Sequence, residues 1–126
     1  MCIRDRRRPK PGQSQVMNIV GDVKGKTCII VDDIIDSGST IVNAAKALKD
    51  RGAKEVYVYI THGVLSGVAV SKIKKSVIKN LVITDTIDNM KRVKGVKNIE
   101  VLSISSLMGE AIKRISNSTS VSDLFK

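Results

Sequence analysis

Two adjacent carboxylates, Asp32 and Asp33, begin the segment of this sequence best suited to chemistry. They follow an apolar run at residues 28–31 that has the composition of a buried strand. Neighbouring side chains on a strand point to opposite faces, so one core cannot hide both acids, and we expect the strand to end at this pair. A turn of small polar residues follows, made of Asp36, Ser37, Gly38, Ser39 and Thr40. Paired acids followed by such a turn predict a sugar phosphate site.

The residues after the turn predict a helix. Ile41, Ala44, Ala45 and Leu48 recur at helical spacing, and Gly52 supplies a C-terminal stop. The turn then lies at a helix N-terminus, where backbone N–H groups and the positive end of the helix dipole attract an anion. The dipole contributes about 0.3 to 1 kcal/mol, so directed N–H and O–H bonds must supply most of the affinity. The alternative is an ordinary capped helix behind an acidic turn.

A second glycine-containing segment, residues 21–27, superficially resembles the nucleotide-binding loop G-x-x-x-x-G-K-[ST]. It is one residue too short for that pattern. It also precedes its strand, whereas the nucleotide-binding loop must follow a strand and open a helix. We therefore predict a tight turn here.

The composition excludes several classes of protein. The 126 residues suit one domain with its own core. Tyr57, Tyr59 and Phe125 are the only aromatic residues, so the sequence offers no stacking platform for nucleic-acid bases. Cys2 and Cys28 are too few for a disulfide framework or a metal cluster, which favours a reducing, cytoplasmic compartment. No apolar stretch approaches the length of a membrane span, and the N-terminus lacks a signal-peptide core.

The net charge of +10 reflects 22 basic residues, among which two groups differ in their setting. Seven lysines interrupt apolar positions, which is typical of a solvated face; these are Lys46, Lys49, Lys54, Lys72, Lys74, Lys75 and Lys79. Five further basic residues cluster near the start, at Arg4, Arg6, Arg7, Arg8 and Lys10. We interpret residues 1–14 as a flexible basic arm, because Pro9, Pro11 and Gly12 favour a loop, and residues 15–126 as the folded domain. Such an arm could neutralise charge in phosphoryl transfer. We expect no nucleic-acid partner and no membrane partner.

The remaining pattern alternates strands and helices. Residues 55–60, 81–84 and 99–103 predict strands, and residues 66–75 and 105–115 predict helices. This order indicates an α/β fold with a parallel sheet covered by helices on both faces, in which ligands bind at the carboxyl ends of the strands. His62 is the single histidine, and we predict a packing or hydrogen-bonding role for it.

The string VDDIIDSGST at residues 31–40 resembles the phosphoribosyl diphosphate loop shared by phosphoribosyltransferases and ribose-phosphate pyrophosphokinases. Three further segments favour class I ribose-phosphate pyrophosphokinases. They are the basic residues 7–10 with their return at 16–23, the segment 61–67 and the closing segment 120–125. The resemblance covers nearly the whole chain from Arg7 onward and corresponds to the C-terminal half of that family.

The resemblance implies a type I phosphoribosyltransferase-like fold and a reaction. Diphosphate passes from Mg-ATP to the C1 hydroxyl of ribose 5-phosphate, giving phosphoribosyl diphosphate and AMP. Asp32 and Asp33 would hold the ribose hydroxyls, and Asp36 to Thr40 would wrap the 5-phosphate. We expect Mg²⁺ to be bound mainly through substrate oxygens and water, near the paired acids.

The resemblance also implies roles outside the loop. Arg8 matches a catalytic arginine of the family's flexible loop, while Arg6 stands where the family has a lysine, and the two cations are not interchangeable. Ser120 and Ser122 resemble positions of a regulatory phosphate or nucleotide-diphosphate site at a subunit contact in a homo-oligomer. Their alternative interpretation is an exposed polar terminus.

The family's N-terminal half, which supplies most of the ATP site, has no counterpart in these residues. Residues 1–4 match nothing in the family, which suggests a truncated or artificial start. We expect the isolated chain to bind ribose 5-phosphate with little or no turnover. Two alternatives stay open, a purine or pyrimidine phosphoribosyltransferase and a non-catalytic regulatory or nucleic-acid-binding relative.

Overall fold

A computed structural model describes the backbone of residues 2–10 and 13–126 and the side chains from residue 19 onward. An antiparallel pair of strands precedes a four-stranded parallel sheet, whose strands lie in the order β3-β4-β5-β6. The strands are β1 Cys2–Lys10, β2 Gln13–Val20, β3 Thr27–Ile35, β4 Glu55–Gly63, β5 Asn80–Thr84 and β6 Ile99–Leu102. The helices are α1 Ser39–Asp50, α2 Ala69–Lys74, α3 Met90–Val93 and α4 Ser105–Ser116, followed by a 3-10 helix at Ser122–Phe125.

The parallel sheet confirms the α/β class, and each predicted strand and helix after residue 54 is present. The short helix α3 was not predicted, because four residues are too few to show helical periodicity. Helix α1 is confirmed in detail, since Ile41, Ala44, Ala45 and Leu48 are buried. Gly52 follows it with a φ of 89°, in the left-handed region that favours glycine.

The end of β3 corrects one expectation. We predicted that the strand ends at the pair of Asp32 and Asp33, but β3 continues past both acids to Ile35 and pairs with β4 as far as Gly63. A strand has to end at two adjacent acids only if its continuation would bury both side chains. Asp33 is exposed and Asp32 is half-buried, so the strand continues without fully desolvating either carboxylate.

One face of the parallel sheet forms the core. Val56, Val58 and Leu81 are completely buried and belong to the cluster that includes the apolar residues of α1 and α2. We expected helices to cover both faces. On β3 and β4 the side chains of the alternate residues Ile29, Val31 and Tyr59 point to the opposite face and are exposed. In the part of the chain with described side chains, the buried packing is therefore concentrated on the face that α1 and α2 cover.

The predicted basic arm lies largely in β1, which pairs with β2 in a register that places Arg6 opposite Val16. Antiparallel strands can pair across a very short connection, and this local pairing is what the loop prediction overlooked. The pairing is irregular between Arg7 and Lys10, the interval that contains Pro9, which has no N–H to donate. Pro11 and Gly12 lie outside the described residues. The division of the chain at residue 14 stays a prediction.

The segment at residues 21–27 is a tight turn, as predicted. The Lys26 N–H donates to the Val23 carbonyl at 3.0 Å, and Gly25 has a φ of 71°. The turn leads into β3 and not into a helix, so it lacks the geometry of a nucleotide-binding loop. Its Gly25 N–H donates to the Gly52 carbonyl at 2.8 Å, which ties the start of β3 to the end of α1.

None of the helices in the described part of the chain is long and apolar enough to cross a lipid bilayer.

Candidate functional site

The predicted phosphate loop lies between the carboxyl end of β3 and the N-terminus of α1. Gly38 occupies the N-cap position with a φ of 74°, a left-handed conformation that other residues adopt at a cost. Its carbonyl accepts the first hydrogen bond of the helix, from the Val42 N–H at 3.0 Å. Because glycine has no side chain, no N-cap side chain competes for the first N–H groups of α1. Those groups have no acceptor within a helix and therefore suit an anion.

The structure places the paired acids just before this loop. Asp32 Oδ1 accepts a hydrogen bond of 3.0 Å from the Asp33 backbone N–H. Asp33 and Asp36 are exposed, and Asp32, Ser37, Ser39 and Thr40 are half-buried. The carboxylates and the hydroxyls thus occupy one continuous stretch at the carboxyl edge of the sheet. Carboxylate acceptors therefore come shortly before hydroxyl groups, which can donate as well as accept.

The turn after β4 supports the start of the loop. The N–H groups of Val64 and Leu65 both donate to the Ile35 carbonyl, at 2.9 and 3.2 Å, and the Ser66 N–H donates to the Asp36 carbonyl at 3.1 Å. Three backbone bonds thus fix the chain where it leaves β3. The backbone at the start of the loop is therefore fixed by the turn after β4.

Two side chains from the α3 region hold this supporting turn. Arg92 Nη1 donates to the Val64 carbonyl at 3.1 Å, and Arg92 Nη2 donates to the Leu65 carbonyl. Asn89, which is 2% exposed, donates from Nδ2 to the Gly63 carbonyl. These bonds join residues 26 to 28 positions apart in the sequence, so no local pattern could have revealed them.

Leu65 and Gly63 indicate how closely this turn is packed. Leu65 is completely buried and has a φ of 51°, which is unusual for a bulky residue. A Cβ on Gly63 would lie 2.7 Å from Ile83 Cδ1, closer than packed atoms approach, so a larger residue there would force the buried Ile83 side chain to move. A strained residue beside a candidate site, held by its surroundings, is a feature associated with function.

Hydrogen bonds from threonine hydroxyl groups connect the carboxyl ends of β4 and β5. His62 Nδ1 is hydrogen-bonded to Thr86 Oγ1 at 2.9 Å, which confirms the hydrogen-bonding role predicted for this histidine. Thr84 Oγ1 donates to the Thr61 carbonyl at 2.6 Å. These bonds fix the two strand ends relative to each other.

Asp85 connects β5 to the segment after β6. The Ser103 hydroxyl and the Ile104 N–H, which is 2.9 Å from Asp85 Oδ1, hold the pKa of this carboxyl below its ordinary value. Hydrogen bonds to the charged form of a carboxylate have this effect. Asp85 is exposed and lies one strand away from β4, which itself adjoins the loop strand β3.

Lys72 is a residue that the sequence analysis assigned to the solvated face, yet its side chain reaches the loop. Its Nζ donates a hydrogen bond of 2.8 Å to Ser39 Oγ. The two residues are 33 positions apart in the sequence, and lysines at helix surfaces are common, so the sequence carried no signal of this contact.

Ser120 and Ser122 form no hydrogen bond with the loop within the part of the chain whose side chains are described. The Ser120 carbonyl accepts a bond of 2.9 Å from Arg114 Nη1, and Ser122 begins the 3-10 helix, with both serines exposed. Arg6 and Arg8 belong to β1, and their side chains lie outside the described residues. The roles of these four residues stay predictions.

Among the residues with described side chains, no group of three or more His, Cys, Asp or Glu could hold a metal ion. Asp32 and Asp33 nevertheless supply the hard oxygen ligands that Mg²⁺ prefers, and Mg²⁺ is commonly bound by one or two carboxylates together with water and substrate oxygens. The acidic pair therefore fits a magnesium ion that binds with a substrate.

The fold and the loop together define an α/β domain with an acidic, hydroxyl-rich anion site at the carboxyl edge of a parallel sheet. Residues 6–126 match the family described as the phosphoribosyl synthetase-associated domain, and the chain belongs to this family.

Similar proteins agree with this assignment. The chain is 58% identical to a ribose-phosphate pyrophosphokinase of Hyphomonas neptunium and 55% identical to one of Brucella melitensis, each over 125 residues. These matches cover 99% of this chain and 40% of each relative, so the chain spans about two fifths of the length of these curated relatives. A crystal structure of phosphoribosylpyrophosphate synthetase from Mycobacterium smegmatis is similar with a TM-score of 0.74 and 39% identity, over 79% of this chain and 33% of that one.

Proposed function

We propose that this chain is the C-terminal, ribose 5-phosphate-binding part of a ribose-phosphate pyrophosphokinase, a transferase of nucleotide biosynthesis. The complete enzyme transfers diphosphate from Mg-ATP to the C1 hydroxyl of ribose 5-phosphate, giving phosphoribosyl diphosphate and AMP. The observation that carries the proposal is the loop from Asp32 to Thr40, set between β3 and α1 in a chain 58% identical to a protein of that name.

The paired acids act on the ribose. Carboxylate oxygens accept hydrogen bonds from sugar hydroxyls, and bonds to a charged acceptor are stronger than neutral ones. Asp32 and Asp33 lie next to each other at the end of β3, where pairing with β4 fixes the backbone. They orient the sugar ring so that its C1 hydroxyl is held in one position, which lowers the entropic cost of the transfer.

The hydroxyl-rich turn acts on the 5-phosphate. Ser37, Ser39 and Thr40 each carry a hydroxyl, and α1 begins at Ser39. N–H and O–H donors at a helix N-terminus bind phosphate without moving a proton, so this part of the site positions the substrate and takes no part in bond making.

Two sources of positive charge act on the transferring diphosphate, a magnesium ion and the arginines of β1. Asp32 and Asp33 would hold Mg²⁺ together with substrate oxygens, and the ion when bound offsets negative charge on the diphosphate. We assign Arg8, and Arg6 in place of the family's lysine, to the same charge neutralisation. ATP is held mainly by a region outside these 126 residues. The complete enzyme is a cytoplasmic homo-oligomer, in which Ser120 and Ser122 would contribute to a regulatory site at a subunit contact, whereas in this chain alone they form an exposed polar terminus.

Calorimetry with ribose 5-phosphate and Mg²⁺ tests this proposal, beside a coupled assay of AMP release. We expect the chain to bind ribose 5-phosphate and to release little or no AMP from ATP. Asp32→Ala and Asp33→Ala should each abolish binding, whereas Asp50→Ala, at the far end of α1, should leave the affinity unchanged. Robust AMP release by the isolated chain would contradict the half-enzyme assignment. Release of diphosphate that depends on an added purine or pyrimidine base would indicate a phosphoribosyltransferase instead.

A further inference from the structure

Lys72 lies on α2 and contacts the first residue of α1. Its Nζ donates a hydrogen bond of 2.8 Å to Ser39 Oγ, in the middle of the hydroxyl-rich loop. We propose that Lys72 is a phosphate-binding residue that contacts the phosphate group of the sugar phosphate directly. The inference rests on the proposed ribose 5-phosphate site and adds a charged ligand to a loop that otherwise offers neutral donors and acidic side chains.

The chemistry of the pair suits an anion. A lysine ammonium carries three donors and no acceptor, and Ser39 uses one of those donors, so two N–H groups are left for a ligand. Because Ser39 Oγ accepts from Lys72, its own O–H proton points elsewhere and can also be donated. The pair thus combines several donors with a positive charge, which matches the several acceptor oxygens of a phosphate.

The packing of α2 holds Lys72 at the loop. Ala69 and Ile73, on the same helix, are completely buried. A Cβ on Gly38 would lie 3.7 Å from Ile73 Cδ1 and 3.8 Å from the Ala69 Cβ, so α2 lies in ordinary contact distance of the loop backbone. The main chain that carries Lys72 is therefore fixed against the loop, while its ammonium is exposed and accessible to a ligand.

The charge of Lys72 is also available for a ligand. Within residues 19–126 this side chain forms no ion pair, and Ser39 is its described hydrogen-bond partner. Lys74, two positions further along α2, is exposed and forms no hydrogen bond or ion pair with the loop in the same part of the chain. Two positions correspond to more than half a turn of helix, so the two lysines point in different directions. Lys74 is therefore a matched control for charge without contact.

The test is titration calorimetry of the full chain with ribose 5-phosphate, and with inorganic phosphate as the competing probe. We expect Lys72→Met to weaken the binding of ribose 5-phosphate about tenfold, the effect of losing a charge-assisted hydrogen bond, and to weaken competition by inorganic phosphate by a similar factor. Lys74→Met should change both values less than about twofold, because screening by salt removes most of the effect of an exposed charge without contact. Thermal unfolding of Lys72→Met should match that of the unaltered chain, since the side chain is exposed.

Each other outcome has a definite meaning. If Lys72→Met and Lys74→Met weaken binding equally, general attraction by the basic surface explains the effect and the assignment of Lys72 is wrong. If Lys72→Met binds normally while Asp33→Ala does not bind, the assignment is wrong and the proposed ribose 5-phosphate site stands. If the unaltered chain binds neither ligand, the proposed site and this inference are both overturned.

Discussion

Helices α1 and α4 have the same length and nearly the same sequence pattern, but very different surroundings. Each has 12 residues and repeats apolar side chains on one face. In α1 that face is buried against the sheet, with Leu48 completely inaccessible. In α4 no residue is buried, and Met108, Ile112 and Ile115 are at least half exposed. Amphipathic periodicity therefore indicates which face of a helix can be buried, but not how far the rest of the fold buries it.

The candidate site adjoins α1, the helix whose apolar face is buried. The loop opens α1, the turn at Val64 and Leu65 supports it, and Asn89 and Arg92 support that turn. A ligand site needs atoms held in fixed positions, and side chains on well-packed elements provide that better than exposed ones. The difference between the helices thus separates the part of the chain that we propose to bind the substrate from a part to which the described contacts assign no such role.

The largest expected effect is on the free energy of unfolding, and it separates a buried leucine of α1 from an exposed isoleucine of α4. Leu48→Ala in α1 should lower the free energy of unfolding by about 2 to 5 kcal/mol, because it leaves a cavity in the core. Ile112→Ala in α4, where the side chain is 62% exposed, should change it by less than about 0.5 kcal/mol. Urea denaturation of both variants measures the difference. A loss of several kcal/mol in Ile112→Ala would mean that α4 is covered in solution.

Arg92 tests the support beneath the loop. Arg92→Met removes two hydrogen bonds to the carbonyls of Val64 and Leu65 and should lower the free energy of unfolding by about 1.5 to 3 kcal/mol. The affinity for ribose 5-phosphate should fall as well, because the same turn holds the Ile35 carbonyl. The neighbouring Lys91→Met is the control and should change stability by less than about 0.5 kcal/mol. Equal stability of the two variants would show that the guanidinium does not hold the turn.

Replacing glycine by alanine should change stability in opposite directions at the start of α1 and inside α4. Gly38→Ala places a side chain at a φ of 74° and should lower stability by about 1 to 2 kcal/mol, although a Cβ there meets nothing closer than 3.7 Å. Gly109→Ala lies inside α4, where a Cβ meets nothing within 4 Å, and should raise stability by about 0.5 to 1 kcal/mol. Thermal unfolding of the two variants measures whether each substitution lowers or raises stability. A stabilising Gly38→Ala would contradict the left-handed conformation at the start of α1.

The smallest expected effect concerns Asp85. The pKa of this carboxyl is lowered in the folded state from its ordinary value of 3.8, so its contribution to stability is present above that value and is lost as the pH falls through the lower, folded-state pKa. Asp85→Asn should therefore be slightly less stable than the unaltered chain at pH 7. The difference should disappear in strongly acidic solution. Urea denaturation at a series of pH values checks this, and a difference that persists unchanged in acid would rule out the carboxylate as its source.

Sequence reasoning recovered those parts of the molecule that local patterns encode. Apolar spacing located α1 and the parallel strands, and the acidic loop was placed correctly between a strand and a helix. The predicted end of β3 was wrong, because Asp33 is tolerated within the strand by being exposed to solvent. Solvent exposure depends on the whole fold and is not encoded in the neighbouring residues. Lys72, Asn89 and Arg92 were missed because their partners are distant in sequence, at 26 to 33 positions.

The most direct test of the central claim is the binding of ribose 5-phosphate to the purified chain, measured by titration calorimetry with Mg²⁺ for the unaltered protein and for Asp33→Asn. The substitution keeps the size of an exposed side chain and removes its charge, so the fold should be retained. We predict saturable binding by the unaltered chain and its loss in Asp33→Asn. Binding of equal strength in both proteins, or none in the unaltered protein, would contradict the assignment of this loop as a ribose 5-phosphate site.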